Sequence, residues 1–161
     1  MHPILDRILT LNLVGTTVVF YVAVRLYITP RLGDWTPRTV LLPILLLHST
    51  RHLGLMFLTR GAVYSGMPPQ FAYPAALGDL VAALLAFVAI PAVANGWAIW
   101  RPLMWIFNLF GTADLLVAIT LATLFEAPVY MGAAYWIPAF WVPALLVTHY
   151  ITFIVLLRRR P

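Results

Sequence analysis

Long apolar stretches, broken by short polar or Pro/Gly-containing segments, run through the whole chain. Five of them stand out, roughly residues 8–28, 39–59, 73–94, 103–125 and 137–157. Each is close to the ~20 apolar residues that a helix needs to cross the ~30 Å hydrocarbon core of a bilayer. The breaks carry helix start and stop signals. Pro30 and Gly33 stop the first stretch, and Thr36-Pro37 reads as an N-cap followed by a first-turn proline. Pro74 is expected in the first turn of the third stretch, Asn95-Gly96 at its end, and Pro102 at the opening of the fourth. Pro91 and Pro143 fall inside stretches and should kink or loosen the backbone there. The pattern predicts an all-α, polytopic membrane protein: one five-helix transmembrane domain over residues 1–161, with sequential helices packed as antiparallel neighbours. Residues 61–71 (GAVYSGMPPQF) form the one longer connection and could fold over the bundle as a lid.

Composition strengthens this picture. The chain is 63% hydrophobic and only 9% charged, where soluble domains average about 25% charged residues. Mean hydropathy is +0.94. All ten positive charges are Arg and the net charge is +5. All but Arg51 cluster at stretch ends, which reads as anchoring to membrane lipids and control of topology; no nucleic-acid partner is expected. With five spans, Arg7 and Arg60 share one side, and Arg25, Arg31, Arg38, Arg101, Arg158, Arg159 and Arg160 share the other. That asymmetry places the N-terminus outside and the C-terminus in the cytoplasm, with Arg158-Arg159-Arg160 as a lipid anchor. Tyr27, Trp35, Tyr64, Tyr73, Trp97, Trp100, Tyr130, Tyr135 and Trp136 sit at stretch ends, as interfacial belts require. The apolar run from Ile8 is too long for a secretory signal and lacks a cleavage site, so a retained first span is expected. The absence of cysteine excludes disulfides, thiolate metal sites and cysteine nucleophiles.

The candidate chemistry lies in the few polar groups far from stretch ends. Only Arg51, Asp79 and Asp114 carry formal charge there, and ionisable groups in hydrocarbon need a partner or a wet cavity. From the helical rise, Arg51, His52, Asp79 and Asp114 fall at about 18, 20, 21 and 17 Å above the Arg-rich end. One layer is therefore expected, in which the Arg bonds the acids and His52 takes a proton. Two acids cannot both pair fully with one Arg, and the surplus carboxylate would share a proton with His52 or a water. A second layer holds His48, His149 and Asn108, at about 14, 12 and 8 Å.

His48 and His52 are four residues apart and are expected on one helix face. With His149 they offer a metal site or a haem ligand pair, though two histidines need further ligands to hold a metal. The competing reading is a hydrogen-bonded structural cluster. Gly78, Ala82 and Ala86 form a small-residue stripe for close helix packing, and Gly111 serves the same purpose in the fourth stretch. Gly15-Thr16-Thr17 is expected to pack against a neighbouring helix, and Glu126 to sit at an interface.

The segments Phe71-Ala72-Tyr73-Pro74-Ala75-Ala76-Leu77-Gly78-Asp79, Asn108-Leu109-Phe110-Gly111-Thr112-Ala113-Asp114-Leu115 and Ile137-Pro138…Val142-Pro143…His149 resemble a group of small uncharacterised bacterial multi-span inner-membrane proteins. The resemblance implies a bacterial inner membrane and brings no function. Three functional expectations remain. The first is a non-enzymatic protein that binds a hydrophobic ligand or packs with other membrane subunits or with itself. The second is proton or ion transport through Arg51, His52, Asp79 and Asp114. The third is a metal or haem protein built on His48, His52 and His149.

Overall fold

The computed structural model describes residues 3–158, with side chains from Arg7 onward. Arg159 and Arg160, which belong to the expected lipid anchor, lie outside the described residues. All named elements are helical. α1 (Pro3–Ala23) runs on through a π-helical turn, Val24–Ile28, and a 3₁₀ turn, Thr29–Arg31. α2 (Pro37–Ser49) is capped by Thr36, whose hydroxyl accepts from the Thr39 N–H at 3.2 Å, with Pro37 in the first turn. α2 then tightens into a nine-residue 3₁₀ segment, Thr50–Leu58. α3 (Pro69–Asn95) and α4 (Trp100–Leu124) follow. Two short 3₁₀ turns and a π-helical turn, Ile137–Trp141, lead into α5 (Val142–Leu157). Five helical stretches are long and apolar enough to cross a membrane: Arg7–Arg31, Pro37–Leu58, Pro69–Asn95, Trp100–Leu124 and Gly132–Leu157.

The prolines explain where the helices depart from expectation. α3 starts at Pro69, ahead of residue 73, because Pro69 takes the first helical position, where a missing N–H costs nothing. Pro74 therefore lies inside the helix rather than in its first turn. Both π-helical turns end two residues before a proline. The Thr29 N–H donates to the Val24 carbonyl ahead of Pro30, and the Val142 N–H donates to the Ile137 carbonyl ahead of Pro143. Proline crowds the residue before it and the carbonyl four residues back, so the turn widens by one residue instead of breaking.

α2, α3, α4 and α5 close a four-helix ring, each touching the next and α5 returning to α2. α1 does not pair with α2 as its sequence neighbour; it packs outside the ring, on α5 and the π-helical turn before it. The ring is complete without α1. The α1 side chains Leu11, Val14, Val18 and Val22 are exposed on its outer side. Gly15 correspondingly has nothing near its missing side chain, so the expected close packing there is not made. α3 is central. Ala75, Ala76, Ala82, Ala86 and Ala89 are buried at helical spacing and let the neighbouring backbones approach.

The two ends of the bundle differ. At one end, residues 59–68 and 125–136 join: the Tyr64 N–H donates to the Tyr130 carbonyl at 2.8 Å, and the Ala134 N–H to the Ala62 carbonyl at 3.0 Å. This is the capped end. The opposite end carries Arg25, Arg31, Arg38, Arg101 and Arg158. There Arg101 donates to the Leu156 carbonyl at 2.9 Å and Arg31 to the Tyr27 carbonyl at 2.6 Å, satisfying carbonyls that helix ends leave orphaned. The half of the ring nearer the arginine end is filled by Leu41, Leu45, Ala86, Met104, Phe107 and Leu156, all essentially inaccessible.

Candidate functional site

The site begins with the change of helix type in the second stretch. A 3₁₀ helix repeats every ~3.0 residues and not every ~3.6. From Thr50 onward, Arg51, Gly54 and Phe57 therefore share one face, and all three are buried. The Arg51 side chain is 0% exposed. Its Nε donates to Asp79 Oδ1 at 2.7 Å, its Nη2 to Asp114 Oδ2 at 2.5 Å, and its Nη1 to the Gly111 carbonyl at 3.2 Å. The structure thus brings Arg51, Asp79 and Asp114 together from the 3₁₀ segment after α2, from α3 and from α4, with two carboxylates on one guanidinium.

The same tightening removes His52. Extra rotation per residue carries it off the face it would share with His48 in a continuous α-helix. His52 is exposed, and its Nδ1 lies 3.0 Å from the Ser49 carbonyl. It belongs neither to the charged layer nor to a ligand set with His48.

Three glycines make the cluster sterically possible. A side chain on Gly78 would land on the Asp114 carboxylate, and one on Gly54 on that of Asp79. A Cβ on Gly111 would come within 2.6 Å of the His149 ring and 3.0 Å of Arg51 Nη1. Gly78 and Gly111 thus give up their side chains to polar groups on the facing helix, while Ala82 and Ala86 pack at 0% exposure. Gly54 was not singled out in the sequence; its position three residues after Arg51 becomes meaningful only once the segment is known to be 3₁₀.

The second layer lies toward the arginine end. His149 Nδ1 is 2.7 Å from Asn108 Oδ1. A carbonyl oxygen only accepts, so Nδ1 donates and Nε2 is left as the lone pair. His48 Nε2 is 2.9 Å from the Thr148 hydroxyl, whose own proton goes to the carbonyls of Ala144 and Leu145. Nε2 of His48 therefore donates, and its Nδ1 keeps the lone pair. His48 Nδ1, His149 Nε2 and Asn108 Nδ2 are buried without a hydrogen-bond partner. Thr148 escaped notice in the sequence because a hydroxyl in an apolar helix usually bonds back to its own turn. The His48 and His149 rings lie 4.3 Å apart, centroid to centroid, and Phe107 packs on both. Rings in such contact leave no space for a macrocycle between them, so the haem-sandwich arrangement does not fit. Among the described residues no group of three His, Cys, Asp or Glu side chains is placed to hold a metal ion.

Above the charged layer, toward the capped end, lies a cavity of about 200 Å³. Its walls are apolar, with Phe57, Phe71, Leu115, Met131 and Ile137 among them, and Leu9 and Leu13 of the peripheral α1 close one side. Asp79 lies at its floor and is the one ionisable side chain among the residues that line it. The cavity reaches the guanidinium through Asp79; the opposite half of the ring is filled by Leu41, Leu45, Met104 and Phe107.

No curated protein and no solved structure matches the chain. A family model described as "Domain of unknown function (DUF8737)" matches residues 8–157, and the chain belongs to that family.

Proposed function

We propose that this is an integral protein of a bacterial inner membrane, N-terminus outside and C-terminus in the cytoplasm, that binds a small hydrophobic molecule without transforming it. The observation that carries this reading is the apolar cavity of about 200 Å³ at the capped end, floored by a charged cluster. Concave, mostly apolar pockets with one or two polar groups are the usual form of a small-molecule site. The five membrane-length helices and the excess of arginine at one end support the location and orientation. Conduction is less well supported. The polar groups run from Asp79 to the histidine layer and then meet Leu41, Leu45, Met104 and Phe107, which offer no hydrogen bonds onward.

Binding is tested on the purified protein in lipid nanodiscs with adamantanol, a compact neutral probe. Saturable binding at one site is expected. Ala118→Phe, which fills the cavity from α4, should weaken it by about tenfold or more, roughly 1.4 kcal/mol. Without saturable binding to the wild type, or with binding that ignores Ala118→Phe, the cavity is not a ligand site. Proton transport is the second reading, motivated by the unpartnered nitrogens of His48 and His149. Proteoliposomes loaded with a pH-sensitive dye should hold an imposed gradient as long as those carrying the Asp79→Asn, Asp114→Asn double variant. A faster, acid-dependent leak in the wild type would replace ligand binding by transport.

A further inference from the structure

We infer that the cavity takes a lipophilic amine in its cationic form, with the ammonium against Asp79 and the apolar body between α1, α3 and α4. This rests on the hydrophobic-ligand reading above and adds the charge of the ligand.

The argument is one of charge complementarity. Arg51 is shared between two carboxylates, and these are the two ion pairs among the described residues. With both acids ionised, the cluster carries one negative charge in excess. His52, the other basic side chain at this level, is turned away. An unbalanced charge in a low-dielectric interior is costly and draws in a cation or a proton. Of the two acids, Asp79 is the one that lines the cavity. Its Oδ1 accepts from Arg51, its side chain is 11% exposed, and its Oδ2, beside Gly54, takes no hydrogen bond from the described residues. An ammonium entering from the capped end would meet Asp79 before Arg51 or Asp114, neither of which lines the cavity. An anionic ligand would face a carboxylate, and a neutral one would leave the surplus charge as it is. The lining suits an amine further, since it includes the aromatic residues Phe57 and Phe71, and aromatic rings attract cations.

The test compares adamantylamine, cationic at neutral pH, with adamantanol, its neutral counterpart of the same shape, by calorimetry on nanodiscs, with empty nanodiscs as blank. The amine is expected to bind the wild type about tenfold more tightly than the alcohol, a difference of about 1.4 kcal/mol. In Asp79→Asn the two affinities should fall within about twofold of each other, about 0.4 kcal/mol. Ala118→Phe retains the carboxylate and is expected to weaken both ligands by about tenfold or more, which ties them to the cavity, and the amine-over-alcohol preference of the wild type tests the charge even should Asp79→Asn not fold. Equal affinities in the wild type, or an amine preference that survives Asp79→Asn, would overturn the charge assignment while leaving the cavity as a neutral-ligand site. Failure of both probes to bind the wild type would remove the cavity reading itself.

Discussion

Replacing Arg51 with Ala is expected to collapse the yield of folded protein at neutral pH, with Arg60→Ala as a near-neutral comparison. Arg51 is wholly buried and holds Asp79, Asp114 and the Gly111 carbonyl at once. Arg60 is exposed at the capped end. Removing one partner of a buried ion pair costs about 3–5 kcal/mol, because the remaining charge keeps its desolvation penalty and loses its compensation. Here two carboxylates would be stranded. They can escape part of that cost by taking up protons. The variant should therefore regain folded yield as pH falls, and Asp79→Asn should restore part of it at neutral pH. Monodisperse yield by size exclusion, together with melting in detergent across a pH series, reads this directly. If Arg51→Ala melts like Arg60→Ala, the guanidinium is not what holds the three helices in register.

The second large effect is expected at Gly78. An added methyl would fall on the Asp114 carboxylate, which belongs to the facing helix and is itself held by Arg51. Neither side can give way without parting α3 from α4 or breaking the ion pair. Overpacking of this kind costs about 1–3 kcal/mol, and a tethered charged obstacle puts Gly78→Ala at the upper end. Gly15→Ala, on the open face of α1, is the matched control and should be neutral or slightly stabilising. A double-mutant cycle makes the mechanism visible. Asp114→Ala removes the obstacle and still leaves Arg51 balanced by Asp79, so Gly78→Ala should cost much less in that background. Equal costs in both backgrounds would mean that Gly78 acts through something other than Asp114.

Much of the architecture was legible in the sequence, for reasons particular to the bilayer. A helix that crosses hydrocarbon must satisfy its own backbone, so apolar length alone announces each membrane-length helix. The common level of Arg51, Asp79 and Asp114 followed from a fixed rise per residue, which survives modest bends. The direction of a side chain around the axis is less robust. An unbroken α-helix would put His52 on the face of His48, and a few residues of 3₁₀ geometry are enough to rotate it outward. Gly54 was overlooked for the same reason. The pairing of α1 with α5, and the exposure of Gly15, could not be read either, since lipid and protein solvate an apolar helix almost equally well.

The sequence by itself determined the helical class, the number and approximate limits of the membrane-length helices, and which ionisable groups sit deep within them. These depend on composition and on distance along one chain. Only the tertiary structure decided that Arg51 is shared by two acids, that His48 and His149 touch, and that a cavity ends on Asp79 while the far half of the ring is closed. Those features depend on the relative rotation and spacing of helices distant in sequence. Rotation and spacing are set by the packing of small residues such as Gly54, Gly78 and Gly111 against particular side chains, and that complementarity exists only between helices already assembled.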